Sequence, residues 1–217
     1  MNTNELAELI KGRRSVRAWQ SRVVPDNLLL QAIELATYAP NAGNQQNWRF
    51  YVVTKRDIID QIANAVQASA DEMAVWPESA QFGEAAKNMF KKASFFRGAP
   101  AVIAVAASQY TSPAEQIMAL REKVDPKAKA MREWRNIANS KIQSVSSAIA
   151  YLLLVLHQMG LGAVWMTGPI QAKGAIENVI KVPAGTDIVA LIPVGYPAEN
   201  PPLKERKAVN TICEFIR

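Results

Sequence analysis

Apolar residues recur along the first forty positions at the three- and four-residue spacing of a helix packed on one side. Leu6, Leu9 and Ile10 predict a short helix over 3–12. Leu28, Leu29, Ala32, Ile33 and Ala36 predict a second, opened by Pro25 at its first position, where a missing N–H costs nothing, and stopped by Pro40. Asn41 to Asn47 is polar or turn-forming except for Ala42, hence a loop, and the aromatic, β-branched run 48–54 is a strand. Residues 56–96 are mostly helical, with a break near Trp76-Pro77. The unbroken apolar run Pro100 to Ala106 reads as a buried central strand.

Helical material follows over 113–137, broken near Asp125-Pro126. Ser140 to Met159 forms a helix that turns apolar all round in its second half, which predicts burial on every side within a core or a subunit interface. Gly160-Leu161-Gly162 caps it, and Ala163-Val164-Trp165-Met166 is a short strand running into Thr167-Gly168-Pro169. A helix over 171–180 and a strand over 187–194 complete the core. The tail, 196–217, carries three prolines, a basic cluster and the apolar Val209, Ile212 and Phe215. Without repeats, low-complexity tracts or linkers, residues 1–217 read as one α+β domain: long helices around one modest sheet, with an extended C-terminal arm.

A chain of 217 residues can bury roughly 70% of its unfolded surface, so it needs no staple. Its single cysteine, Cys213, cannot form an internal bridge and suits a reducing cytoplasm; no signal peptide is evident. The longest apolar run, Ala148 to Leu156, falls short of the ~20 residues of a membrane span, so a soluble, cytoplasmic protein is expected. Net charge +6 permits nucleic-acid binding, but no helix-turn-helix, zinc-finger or aromatic RNA-binding signature accompanies it, and anionic small ligands explain the balance equally well.

Chemistry enters with Lys11-Gly12-Arg13-Arg14-Ser15-Val16-Arg17, four cations and a hydroxyl with no acidic neighbour until Asp26. Guanidinium forks bind phosphate oxygens bidentately, although a solvated basic helix end would look the same. One histidine and one cysteine are too few for a metal site. His157 sits within the apolar helix and reads as a core or interface residue. There is no G-x-S-x-G elbow, Walker loop or G-x-G-x-x-G, so any redox work needs a borrowed electron carrier. Two further segments suit a phosphorylated, flat, polar-edged cofactor: the amide-rich loop 39–48, and Lys204-Glu205-Arg206-Lys207 after a proline-ordered turn.

Arg13-Arg14-Ser15-Val16-Arg17 resembles the R-R-S-x-R opening of the nitroreductase family of flavin enzymes. Ala39-Pro40 followed by Asn44, Gln46 and Trp48 is similar to that family's A-P-S-x-x-N-x-Q-P-W loop, with Asn41-Ala42 where serine is common and Asn47 in place of proline. Gly160-Leu161-Gly162 with Trp165-Met166-Thr167-Gly168 resembles its flavin-edge strand and turn. Gly195-Tyr196-Pro197 with Lys204 and Arg206 resembles its ending. The four motifs fall in the family's order from residue 11 to 207.

The resemblance implies a nitroreductase-like fold with a central mixed sheet, and a homodimer holding FMN in two clefts between subunits. Arg13, Ser15 and Arg206 would hold the FMN phosphate with Lys204 close by, Arg14 would be among the cofactor-binding residues, and Arg17 would sit by the pyrimidine edge. Pro40, Asn41, Ala42 and Asn44 would approach from the partner, while Trp165, Thr167 and Gly168 would flank the ring. It further implies ping-pong hydride transfer from NADH or NADPH through flavin N5 to a nitroaromatic, quinone or activated alkene, with no protein group acting as catalyst. Trp76, Tyr110 or Trp134 are expected to wall the pocket. A specialised relative (reductive dehalogenase or flavin-degrading enzyme), a non-catalytic flavin carrier and a basic nucleic-acid-binding protein are the alternatives.

Overall fold

The computed structural model describes residues 2–217. Its helices are α1 (Thr3–Gly12), α2 (Asp26–Ala36), α3 (Arg56–Ala74), α4 (Gly83–Lys91), α5 (Pro113–Arg121), α6 (Pro126–Ala138), α7 (Ser140–Gln158) and α8 (Lys173–Ile180). Strands β1 (Trp48–Val53), β2 (Ala101–Ser108), β3 (Gly162–Ala163) and β4 (Thr186–Gly195) form one sheet in the order β1-β2-β4-β3. Every pairing between these strands is antiparallel, and the mixed character expected of the sheet survives only in an isolated parallel bridge between Ser15 and Ala163.

The central strand organises the core. Side chains alternate across a strand, so Ala101, Ile103, Val105 and Ala107 of β2 face one cluster with α2 and α7, while Val102, Ala104 and Ala106 face another with α3 and α8. Covering both faces explains why β2 is apolar at nearly every position. Its alanines keep the helices close to the sheet. Local signals set the ends: Asn2 and Glu5 form a reciprocal capping box at α1, and the Asn139 side chain accepts the Ile142 N–H at 3.2 Å to start α7. Pro25 caps α2 from just outside instead of opening it.

Two expectations change. The strand expected over 163–166 shrinks to Gly162–Ala163, and Met166 bridges alone to Leu191. Pro193 is the reason: Val164 N–H reaches its carbonyl at 3.4 Å, but a proline has no N–H to return the bond. The helix over 171–180 opens with a 3-10 turn, Gly168–Ala172, before α8. Helix α7 is not covered all round within the protomer; Val145, Ile149, Leu152 and Leu156 are buried, while Tyr151 is 43% exposed. The C-terminal arm likewise leaves Val209, Ile212 and Phe215 in solvent. No described helix is long and apolar enough to cross a membrane.

Candidate functional site

Residues 13–19 leave α1 as an extended segment docked on the sheet edge. Val16 N–H donates to the Ala163 carbonyl at 3.1 Å, Trp19 Nε1 to the Gly162 carbonyl at 2.9 Å, and Gln20 N–H to the Tyr196 carbonyl at 2.9 Å. Gly162 makes this approach possible, since a Cβ there would stand 2.8 Å from the Val16 side chain. The Glu199 carboxylate, a residue that sequence reasoning missed, accepts the backbone N–H groups of Arg17 and, at 3.1 Å, Ala18. An acid two residues past Pro197, ahead of the basic run at 204–207, was its only signal.

This docking gathers positive charge. Burial, then the neighbouring Arg206 and Arg14 guanidiniums, push the Arg13 pKa below the usual arginine range. An arginine does not shed its proton on that account, so the shift expresses a burial cost, with repulsion added, that an anion would relieve. Among the described residues no carboxylate forms an ion pair with Arg13, Arg14 or Arg206. Arg14 donates to the Arg13 carbonyl at 3.0 Å, and Arg206 to the Glu205 carbonyl at 3.2 Å. Half-buried Ser15 lies between Arg13 and Arg17, and exposed Lys204 precedes Arg206 in the arm. The cluster fits a phosphate.

His157, at the end of α7, faces the same cations; a Cβ on Gly12 would lie 3.1 Å from its Nε2. Burial, then Arg13 and Arg14, push its pKa down. The unfolded chain, with a histidine near its usual value of about 6.5, therefore binds more protons as pH falls through and below that value. That destabilises the fold on the acid side. The cofactor-free protein is expected to lose more stability between pH 7.5 and 5.5 than its His157→Gln variant, as measured by denaturant midpoints; equal losses would contradict the assignment.

Arg17, at the end of the same run, lines a cavity of about 560 Å³, within the range of small-molecule sites. Arg17, Val164, Trp165, Met166, Gly168 and Pro169 form one wall. Val66, Ala70 and Met73 of α3 and Met89 and Phe90 at α4 form the facing one. Thr167 sits in the same turn, between Met166 and Gly168, without lining the cavity. The expected aromatic walls are not there: Trp76 lines a separate pocket, and Tyr110 and Trp134 line neither, with Trp134 67% exposed. The apolar lining of this protomer's cavity comes from Met73, Met89, Phe90 and Phe95 among others.

The amide-rich loop lies elsewhere. Ser147 Oγ donates to the Pro40 carbonyl at 2.6 Å and Ala42 N–H donates to Ser144 Oγ at 3.1 Å, which ties the loop to the first half of α7. His157 and the cations stand at the other end, roughly 15–20 Å along the helix at 1.5 Å per residue. Asn41 Oδ1 accepts the Gln46 N–H at 3.0 Å across a turn in which Gly43 and Asn44 both take left-handed conformations (φ 60° and 50°). Asn47 is buried and donates to the Ser108 carbonyl at 3.0 Å, so this departure from the family's proline fastens the loop to the end of β2. Pro40, Asn41, Ala42 and Asn44 touch neither the cations nor the cavity of their own chain.

Among known proteins, the chain is 29% identical over 208 residues to an NADH dehydrogenase of Thermus thermophilus, covering 86% of this chain and 84% of that one. It is 26% identical over 212 residues to an iodotyrosine deiodinase of Thermotoga neapolitana, covering 94% and 95%. The solved structure of a BluB-like flavoprotein from Clostridium difficile superposes with a TM-score of 0.84 at 27% identity, covering 98% of this chain and 99% of that one. The sequence profile of the nitroreductase family matches residues 10–196, which spans Arg13 to Arg17, the loop and every strand; the chain belongs to the nitroreductase family.

Proposed function

We propose that this protein is a homodimeric FMN-dependent oxidoreductase that passes hydride from NADH or NADPH to an electron-poor acceptor. One observation carries the reading: Arg13 has no carboxylate partner and stands within electrostatic reach of Arg14 and Arg206, and Arg17 of the same segment lines an apolar cavity with Trp165 and Gly168. FMN matches both halves, a dianion for the cations and a flat ring for the cavity. When bound it supplies the two-electron chemistry that no side chain here provides.

The chain's own residues bind and bias. Arg13, Arg14, Ser15 and Arg206, with Lys204 close by, hold the phosphate. Arg17, anchored through its backbone by Glu199, sets a positive charge at the pyrimidine edge and favours the reduced, anionic cofactor. Trp165, Thr167 and Gly168 flank the ring, and the apolar facing wall excludes water. Pro40, Asn41, Ala42 and Asn44 cannot serve a cleft in their own chain. They serve the partner's, and the uncovered side of α7 and the apolar arm supply surface for that pairing. Relatives called an NADH dehydrogenase and a flavoprotein support the same reading.

The test is anaerobic addition of NADH or NADPH to FMN-loaded protein, followed by a nitroaromatic or a quinone. The donor is expected to bleach the flavin absorbance and the acceptor to restore it. A bound flavin that neither donor bleaches would make the protein a carrier and overturn the reading.

A further inference from the structure

We infer that the cavity selects acceptors carrying one anionic group and no ammonium, and that Lys92 is the residue that makes the selection; this rests on the FMN reading above. Four polar side chains line the cavity, Arg17, Asn88, Lys92 and Gln171, and all its other lining residues are apolar or glycine. None is an aspartate or glutamate. With Arg17 committed to the cofactor edge, Lys92 is the cation left for substrate.

Its place in the fold is specific. Lys92 caps α4, its N–H donating to the Met89 carbonyl at 3.3 Å, and it forms no ion pair with any described carboxylate. On the same helix Lys87 does find an acid, Glu84 at 2.8 Å, and Lys87 lies outside this cavity. Lys92 is thus an unmatched charge at the edge of an apolar wall made by Met73, Met89 and Phe90. A carboxylate on an aromatic acceptor would be neutralised there, and the Asn88 and Gln171 amides can donate to its oxygens. An ammonium would meet two like charges and no acid among the lining residues, and like charges facing a ligand select against it. The donor's phosphates carry the same anionic chemistry, so the test separates donor from acceptor.

FMN-loaded protein is assayed with nitrobenzene, 4-nitrobenzoate and 4-nitrobenzylammonium. The ammonium compound is intrinsically the most easily reduced of the charged pair, so reactivity runs against the expected order. We expect kcat/KM for the carboxylate to exceed that for the ammonium by at least about tenfold, a ratio that Lys92→Gln collapses and Lys92→Arg keeps. Benzoate, which cannot be reduced, is expected to bind the wild type by calorimetry and to bind Lys92→Gln about tenfold more weakly. No charge preference, or a preference that Lys92→Gln leaves intact, overturns the inference while leaving the oxidoreductase reading standing. A Lys92→Gln variant that weakens only the concentration dependence of anaerobic reduction by NADH or NADPH assigns the lysine to the donor and also overturns it. Should the protein hold no FMN, the functional reading fails, and benzoate calorimetry on the apoprotein still decides whether the cavity prefers anions.

Discussion

Replacing Arg13 and Arg206 together with alanine is expected to strip FMN from the protein without unfolding it. Each charge-assisted contact to a phosphate is worth about 1.5–3 kcal/mol, and tenfold in affinity is about 1.4 kcal/mol, so losing both weakens binding by roughly 10²- to 10⁴-fold. The second half of the expectation separates a binding role from a structural one. Burial and repulsion from Arg206 and Arg14 both disfavour the Arg13 charge, so the double variant is not expected to destabilise the apoprotein. Flavin content after gel filtration and the thermal midpoint of the apoprotein are the two measurements. Unchanged flavin content, or a midpoint that falls well below that of wild-type apoprotein, would contradict the clamp.

Gly195→Ala is expected to damage fold and cofactor binding together. A Cβ at residue 195 would lie 2.6 Å from Pro100 Cδ, 2.7 Å from Pro100 Cγ and 3.0 Å from Trp19 Cδ1. Neither neighbour can swing aside: a proline ring is rigid, and Trp19 is held through its Nε1 bond to the Gly162 carbonyl. Overpacking of this kind costs about 1–3 kcal/mol, or roughly 2–12 °C in Tm for a domain of this size. Since Trp19 ends the segment that carries Arg13 to Arg17, the displacement reaches the phosphate cluster, and weaker flavin retention is expected alongside the lower Tm. Gly174→Ala in α8 is the control. Nothing lies within 4 Å of a Cβ there, so the change should be neutral or stabilising by up to about 1 kcal/mol. A Gly195→Ala protein as stable as the Gly174→Ala one would refute the close packing.

Elements with one strong period were legible in the sequence. The unbroken apolar run of β2 packs into both clusters, and the 3, 4 spacing of α2 matches its buried Leu29, Ala32 and Ala36. Where a long-range partner decides the outcome, local pattern failed. Pro193 shortens β3 from thirty residues away, and nothing near Val164 announces it. Glu199 reaches back across the whole fold to Arg17, and Asn47 owes its burial to Ser108. Helix α7 shows the same limit from the other side: its apolar second half allowed a core or an interface, and within one protomer the side at Tyr151 stays uncovered. The aromatic residues Trp76, Tyr110 and Trp134 looked like pocket walls because bulky rings often are. The cavity is lined instead by Met73, Met89 and Phe90, whose helical spacing resembles ordinary core.

The central claim is that one cleft draws its cations from one chain and its amide loop from another, and mixing two defective proteins tests it most directly. One carries Arg13→Ala and Arg206→Ala; the other carries Asn41→Ala and Asn44→Ala. Each alone is expected to hold little FMN. After subunit exchange at equal amounts, random pairing puts both defects in one cleft of each hybrid dimer and leaves its other cleft intact. FMN content should therefore recover to roughly a quarter of the wild-type value. A mixture that holds no more FMN than its two components would contradict the shared cleft.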